Sequence, residues 1–323
     1  MLFSLEETCQ MISSGKLLHI AGTEDLLKKL PKGNWIGGST EYFMTKFGGV
    51  VTGDALFVTQ LPYDIFTIIE YDETNIASIT VDAFDNGFSI VVLPFDSAIH
   101  KIYAREAPNF EGMFIKNITG WVSGSNLGVP GQTPIAVNGQ TGASFTSKAV
   151  VVHIRVPDDK LVHIDIVNIF SPDETSPAIE FTEEGFSAKT CKINGKETIF
   201  ADYLAENKID TRFPLIGEYS GTGINTSFKS VEGGVVTFYA PVFPGITYKI
   251  AKNVSNYVDE FINRLKARDD AKVTFACNCI LNFLYGELEG KDIGSFFGPI
   301  TFGEIAFQLV NQTLVYVSVT QRN

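Results

Sequence analysis

The chain is poor in cysteine, in long apolar runs and in positive charge. Four cysteines in 323 residues are too few for a disulfide framework, which favours a reducing compartment. Apolar runs such as 88–95 and 149–156 are far shorter than the roughly 18 residues of a membrane-spanning helix. Glu6 and Glu7 stand where a secretory signal would be positively charged. The sequence therefore predicts a cytoplasmic protein with no membrane partner.

Basic residues are outnumbered, 25 Lys and Arg against 37 Asp and Glu, for a net charge of −12. Since affinity for a phosphate backbone depends on clustered Lys and Arg, we expect no nucleic-acid partner. The P-loop, dinucleotide-binding, GxSxG and HExxH motifs are missing as well. The sequence thus favours no nucleotide, metal or other cofactor.

What the chain does have is apolar residues, 45% of the total, arranged in many short strand-like runs and a few helical patterns. A capping box at Ser4, a cap at Thr23 and another at Asp96 predict three helices. An apolar stripe from Val254 to Leu265 predicts a fourth. We expect an α+β fold with mixed, largely antiparallel sheets flanked by helices.

A polar, proline-flanked segment at 171–177 is the best candidate domain boundary. It divides the chain into strand-rich lobes at 1–176 and 177–323. The segment IGGSTEYF at 36–43 has an echo in FGPITFGEI at 297–305, which is consistent with a pseudo-duplicated layered sandwich.

Two regions suggest local structure with functional meaning. The Gly-, Ser- and Thr-rich stretch 120–147 is interpreted as a lid over a site or as a surface excursion. Strands at 148–156 and 161–170, joined by Pro-Asp-Asp-Lys, predict a hairpin.

The acidic residues that we expect near a ligand are Glu41 and Glu304, because each follows a Thr-containing turn beside a strand edge. The same carboxylates could instead cap backbone amides. No catalytic or metal-binding residue is assigned.

Other groups leave an enzyme open as an alternative. Cys277 and Cys279 form a CxC pair at a strand end, where a helix N-terminus could stabilise a thiolate. In the predicted hairpin, His153, His163 and Asp165 could face one another as an acid/base or metal cluster, although ordinary polar pairing on a sheet face explains them too.

Several segments of the second half resemble the FIST family of intracellular signal-transduction domains. They are KINGKE (192–197), FPLIG (213–217), FAC ending at Cys277, FFGPITFGEI (296–305) and NQTLVYVSV (311–319). In the first half, WIGGSTEYF is similar to the family's Gly-Ser-Thr turn. The chain departs from the family at Ile280, where an Arg is usual, and around Pro299.

This resemblance implies a divergent, stand-alone sensory protein that binds a small ligand through Ser39, Thr40, Thr301 and Glu304. We expect a non-enzymatic protein with an amino-acid-like metabolite as ligand and a separate signalling protein as output partner. An oligomer is compatible with the sequence. A haem-binding sensor and a structural scaffold remain as further alternatives.

Overall fold

The computed structural model describes residues 1–219, 221–268 and 272–322. Its many strands and few short helices confirm the α+β class. In chain order the strands of this described part are β1 (Leu2–Phe3), β2 (Leu17–Gly22), β3 (Trp35–Ser39), β4 (Tyr42–Thr45), β5 (Gly48–Val51), β6 (Leu56–Leu61), β7 (Phe66–Tyr71), β8 (Gly87–Pro94), β9 (Ile118–Ser123), β10 (Ala136–Asn138), β11 (Ala143–Phe145), β12 (Ala149–Arg155), β13 (Lys160–Val167), β14 (Ile179–Glu180), β15 (Gly185–Ala188), β16 (Thr190–Ile193), β17 (Lys196–Ile199), β18 (Leu215–Tyr219), β19 (Thr222–Thr226), β20 (Phe228–Glu232), β21 (Val235–Val242), β22 (Thr247–Ile250), β23 (Val273–Cys279), β24 (Gly298–Thr301), β25 (Glu304–Ala306), β26 (Gln308–Val310) and β27 (Leu314–Gln321).

The helices of the same residues are α1 (Leu5–Ser13), α2 (Glu24–Leu27), α3 (Ile79–Asp82), α4 (Ala98–Glu106), α5 (Phe200–Glu206), α6 (Tyr257–Lys266) and α7 (Ile280–Tyr285), with short 3₁₀ turns at Ile76–Ser78, Ala107–Asn109 and Met113–Ile115.

Local chemistry explains where the first helices begin. The Ser4 side chain accepts from the Glu7 backbone N–H while the Glu7 carboxylate accepts from Ser4 N–H, so the predicted capping box is confirmed. Thr23 caps α2 as predicted. Helix α4 is capped by Ser97 rather than by Asp96, whose φ of 58° places it outside a helix start.

The chain divides into two compact units. The first contains 1–167, 262–309 and 313–323, and the second contains 168–261 and 310–312. This division differs from the predicted lobes, because the C-terminal strands β23, β24 and β27 pair with β13 and β4 and so belong to the first unit.

The first unit holds three six-stranded sheets. Their strand orders are β1-β6-β2-β3-β10-β11, β26-β25-β9-β8-β12-β7 and β13-β27-β23-β24-β4-β5. Each contains one parallel pair, namely β2 with β3, β8 with β9, and β23 with β24. Most other pairs are antiparallel, as expected.

The second unit has a six-stranded sheet, β17-β16-β14-β22-β18-β19, and a three-stranded sheet, β15-β21-β20. Its core is aromatic: Phe181 makes edge contacts with Phe200, Phe238 and Tyr248 at ring-centroid distances of 5.5, 5.9 and 5.3 Å. Such contacts stabilise beyond the area that they bury.

The predicted hairpin at 148–170 is wrong. Strand β12 pairs with β7 and β8, whereas β13 pairs with β27. Both segments form strands as predicted, but their partners are far away in sequence, and the Pro-Asp-Asp-Lys turn connects two different sheets.

Within the first unit the three sheets meet at a dry aromatic contact. The Trp121 indole Nε1 donates to His19 Nε2 at 2.8 Å, and the His19 ring packs edge-on against Phe275. Burial lowers the pKa of His19 to about 3, so this histidine is neutral. Beside it, a Cβ on Gly38 would come within 2.6 Å of Val92 Cγ1 and 3.0 Å of Trp121 Cη2. The sheets therefore pack at the closest distance that glycine allows.

Within the described residues, none of the helices has the length and apolar character needed to cross a membrane.

Replacing Gly38 by alanine should lower the free energy of unfolding by about 1–3 kcal/mol, because the new methyl group overpacks the contact with Val92 and Trp121. Urea denaturation measures the change. Gly53→Ala is the control, since its Cβ meets its nearest neighbour at an ordinary 3.6 Å. Equal stability of the two variants would contradict close packing at Gly38.

Candidate functional site

A polar pocket of about 470 Å³ lies in the first unit. It is formed by the start of α2, the turn after β3, the turn before β6, and the segments that follow β9. The lining residues are Thr23, Glu24, Asp25, Leu26, Lys29, Ser39, Thr40, Glu41, Gly53, Asp54, Gly124, Ser125, Gln132 and Thr133.

The position of the pocket follows from strand direction. Strands β2 and β3 are parallel and end at Gly22 and Ser39, and their following residues Thr23 and Thr40 both line the pocket. Strand β9, parallel to β8, ends at Ser123 and delivers Gly124. Polar side chains at the carboxyl ends of parallel strands are a common place for ligands in sheets covered by helices.

The Ser39 and Thr40 hydroxyls are fixed by backbone partners. The Ser39 hydroxyl donates to Gly124 O at 2.8 Å and accepts from Ile135 N–H at 2.9 Å. The Thr40 hydroxyl donates to Ile300 O at 2.8 Å. These bonds hold the turn rigidly at the base of the pocket and join it to β24.

Glu41 is half-buried, and its carboxylate Oε2 accepts from the Asn126 Nδ2 at 2.7 Å. The Leu127 N–H donates to Tyr42 Oη at 3.0 Å, so the middle of the loop that follows β9 is attached to the turn in addition to the bonds between Ser39 and Gly124. The sequence prediction missed Asn126 as an individual residue, although it interpreted the stretch 120–147 as a lid or a surface excursion. The only local signal was the composition of that stretch.

The lining carries four carboxylates, Glu24, Asp25, Glu41 and Asp54, and one ammonium group, Lys29. Nearly all other lining side chains are hydroxyls, amides or glycine, and Leu26 is the apolar exception. Such a surface suits a polar or cationic guest. No group of three or more His, Cys, Asp and Glu side chains among the described residues is placed to hold a metal ion.

Of the predicted binding residues, Ser39, Thr40 and Glu41 come together in this pocket. Thr301 and Glu304 are completely buried and are not part of its lining. The contact of Thr40 with Ile300 brings the two turns next to each other, but Glu304 lies in the protein interior. The ligand hypothesis is therefore carried forward for the first three residues.

Glu304 is held by two threonines. Its Oε1 accepts from the Thr301 hydroxyl at 2.9 Å, and its Oε2 accepts from the Thr313 hydroxyl at 2.8 Å. Burial raises the pKa of Glu304 to about 8, and the bonds from Thr313 and Thr301 oppose part of that rise. The carboxyl group is thus neutral at pH 7, and its bonds to the two threonines give it a structural role.

The CxC pair lies beside this acid in the core. Cys277 is 1% exposed, and its Sγ donates to Gly120 O at 3.4 Å. Burial, with the nearby Glu304 and Cys279, raises the pKa of the Cys277 thiol well above its usual range. A buried, protonated thiol is a poor nucleophile.

The predicted cluster of His153, His163 and Asp165 is not formed, since β12 and β13 lie in different sheets. His153 is fully buried, with Nδ1 at 2.7 Å from Ser89 Oγ and Nε2 at 2.8 Å from Tyr71 Oη. His163 is exposed and contacts Thr320. Burial lowers the pKa of His153 to about 4. Ser89 resembles a base-activated nucleophile, but it is 1% exposed, so the network holds strands together.

Glu304→Gln should flatten the pH dependence of stability. The pKa of Glu304 is about 8 in the folded chain, against the usual 4.5 in the unfolded chain. The folded chain therefore keeps a proton that the unfolded chain releases. The stabilisation by this proton falls as pH rises above 4.5 and is lost once pH passes 8. Between pH 5 and 9 the wild-type free energy of unfolding should fall by roughly 4 kcal/mol more than that of the variant.

Urea denaturation at each pH measures this difference. Glu24→Gln is the matched control, because the Glu24 carboxylate is partly exposed and pairs with Lys28 at 2.5 Å. Parallel pH profiles for wild type and Glu304→Gln would show that Glu304 is ionised in the folded chain.

Comparison with curated proteins found no match, and comparison with solved structures found none. One family model does match, and it spans nearly the whole chain, residues 3–320. The protein therefore belongs to DUF6976, a family of unknown function.

Proposed function

We propose that the chain is a non-enzymatic, cytoplasmic sensory protein that binds a small polar metabolite in the pocket at the Ser39–Glu41 turn. One observation carries the proposal: a 470 Å³ polar cavity includes three of the five residues that the sequence marks as ligand contacts. The pocket is large enough for a metabolite of amino-acid size.

The charges of the lining favour an amino-acid-like ligand. Glu41 offers a half-buried carboxylate to an ammonium group, and Lys29 offers a cation to a carboxylate. The Ser39 and Thr40 hydroxyls donate to backbone carbonyls and so offer a ligand only acceptor lone pairs, while the Gln132 amide in the same lining offers its NH₂ group. Each group already lies in the lining before a ligand is bound.

The resemblance to the FIST family supports a sensory role in which binding is read by a separate protein. The burial of Cys277 and His153 argues against the enzyme alternatives, because neither group can meet a substrate. The proposed partner is a signalling protein that distinguishes the bound from the free form.

Thermal unfolding should detect the ligand. In a panel of the twenty L-amino acids and small aliphatic amines at 10 mM, at least one compound should raise the melting temperature of the wild-type chain through mass action. If none of the compounds raised the melting temperature, the proposal would be contradicted.

Glu41→Gln should weaken binding of that compound by about 10–100-fold, since the loss of a hydrogen bond to a charged group costs roughly 1.5–3 kcal/mol. Titration calorimetry measures the change. Glu70→Gln, which lies outside the pocket lining on β7, serves as the control and should bind like the wild type.

A thiol reagent should distinguish the proposed binding protein from an enzyme that uses Cys277. In the native chain Cys9, which is partly exposed, should react, whereas Cys191, Cys277 and Cys279 should react only after unfolding. Mass spectrometry of labelled peptides measures this order. Rapid native labelling of Cys277 would support the enzyme instead.

A further inference from the structure

The Glu41 carboxylate already has an N–H partner from the protein itself. Asn126 Nδ2 lies 2.7 Å from Glu41 Oε2, at the distance of a strong hydrogen bond. An amide NH₂ presented to a half-buried carboxylate resembles, in position and donor character, the ammonium group of a bound amine. In the free chain the Asn126 amide therefore occupies one oxygen of the Glu41 carboxylate.

The segment that supplies this donor is attached by a few polar contacts. The Asn126 N–H donates to Gln132 Oε1 at 3.0 Å, and the Leu127 N–H donates to Tyr42 Oη. The apolar side chains of Leu127 and Val129 are 52% and 47% exposed, so apolar packing holds this loop weakly. Separation of Asn126 from Glu41 therefore disturbs little of the core.

Charge decides which guest can replace the amide. The pocket presents four carboxylates against the single ammonium of Lys29. Glu24 is compensated by Lys28, but Asp25, Glu41 and Asp54 still outnumber Lys29. The Asn126 amide and an ammonium group can both donate to the Glu41 carboxylate, but only the ammonium group also compensates its negative charge. The charge of the lining and the bond to Glu41 therefore both favour a guest with net positive charge.

From the cavity, its charge and this contact we propose that the pocket takes an aliphatic amine of net positive charge, whose ammonium group replaces the Asn126 amide on Glu41. Asn126 is then an internal competitor that lowers the affinity for amines, and binding releases the segment 126–132 from the turn while Gly124 stays bonded to Ser39. This inference rests on the proposed function and names the ligand class of the same pocket.

The probe is 1,4-diaminobutane, with 1,4-butanediol as its neutral analogue and succinate as an anion of similar length. Titration calorimetry should show binding of the diamine alone. Asn126→Ala should bind the diamine up to about 10–100-fold more tightly than the wild type, because the variant loses the competing hydrogen bond to the charged Glu41 carboxylate, which is worth roughly 1.5–3 kcal/mol. Glu41→Gln should bind it at least tenfold more weakly.

Leu127→Ala is the matched control from the same loop. It removes an exposed side chain and keeps the Asn126–Glu41 hydrogen bond, so its affinity for the diamine should equal that of the wild type. If the affinity of this control changed as much as that of Asn126→Ala, the effect would come from loop disorder, and the competitor role of Asn126 would be wrong.

A second measurement uses the unmodified chain. In 1,4-diaminobutane, amide hydrogen exchange should become faster in 126–132 and slower at Thr40 and Glu41, and in 1,4-butanediol it should stay unchanged. Slower hydrogen exchange in 126–132 with the diamine would mean that the loop closes over the amine. That result would contradict the replacement of Asn126 by the amine on Glu41.

The outcomes separate this inference from the proposed function. If an amino acid of the earlier panel binds but the diamine does not, the pocket is a ligand site and the cationic class is wrong. If the diamine binds wild type and Asn126→Ala equally, the ligand class stands and the competitor role fails. If no compound binds either chain, both proposals fail together.

Discussion

The buried acid at Glu304 is the contact on which the pocket region depends. It lies on β25, in one sheet of the first unit, and accepts hydrogen bonds from Thr301 and Thr313, which belong to strands and turns of another. An unpaired carboxyl group in this interior would cost several kcal/mol, so both sheets must supply their hydroxyls in register. Ile300 directly precedes Thr301, and its carbonyl oxygen accepts from the Thr40 hydroxyl at the base of the pocket. The binding turn thus rests on a polar network that tolerates little displacement.

Close packing gives the same region its rigidity. Glycine at position 38 lets β3 approach Val92 and Trp121, and neutral His19 fills the space between Trp121 and Phe275. A residue with a side chain at 38, or a charged imidazole at 19, would separate the sheets that carry the pocket walls. The turn Ser39–Glu41 begins one residue after this contact. Its position is therefore set by the core, whereas the segment 126–132 is held mainly by polar contacts.

Sequence analysis predicted what depends on neighbouring residues and missed what depends on distant ones. The caps at Ser4 and Thr23 and the strand character of β12 and β13 were predicted because each is a local pattern. The partners of those strands were not, since β13 pairs with β27 across more than a hundred residues. The same limit explains the wrong hairpin and the different division into units: a strong turn signal says where the chain bends, but it does not say which sheet receives the next strand.

The candidate site shows this limit in its chemistry. A Thr-containing turn followed by an acid has two outcomes that the residues alone do not separate: at Glu41 the carboxylate faces a polar cavity, and at Glu304 it is enclosed with hydroxyl partners. What differs is burial, since Glu41 is half-buried and Glu304 is completely buried. Enclosure raises the pKa of Glu304 to about 8. Similar local motifs thus provide one carboxylate in the polar pocket and one neutral acid in the core, and this difference is why the proposed exchange of partners is assigned to Glu41 and not to Glu304.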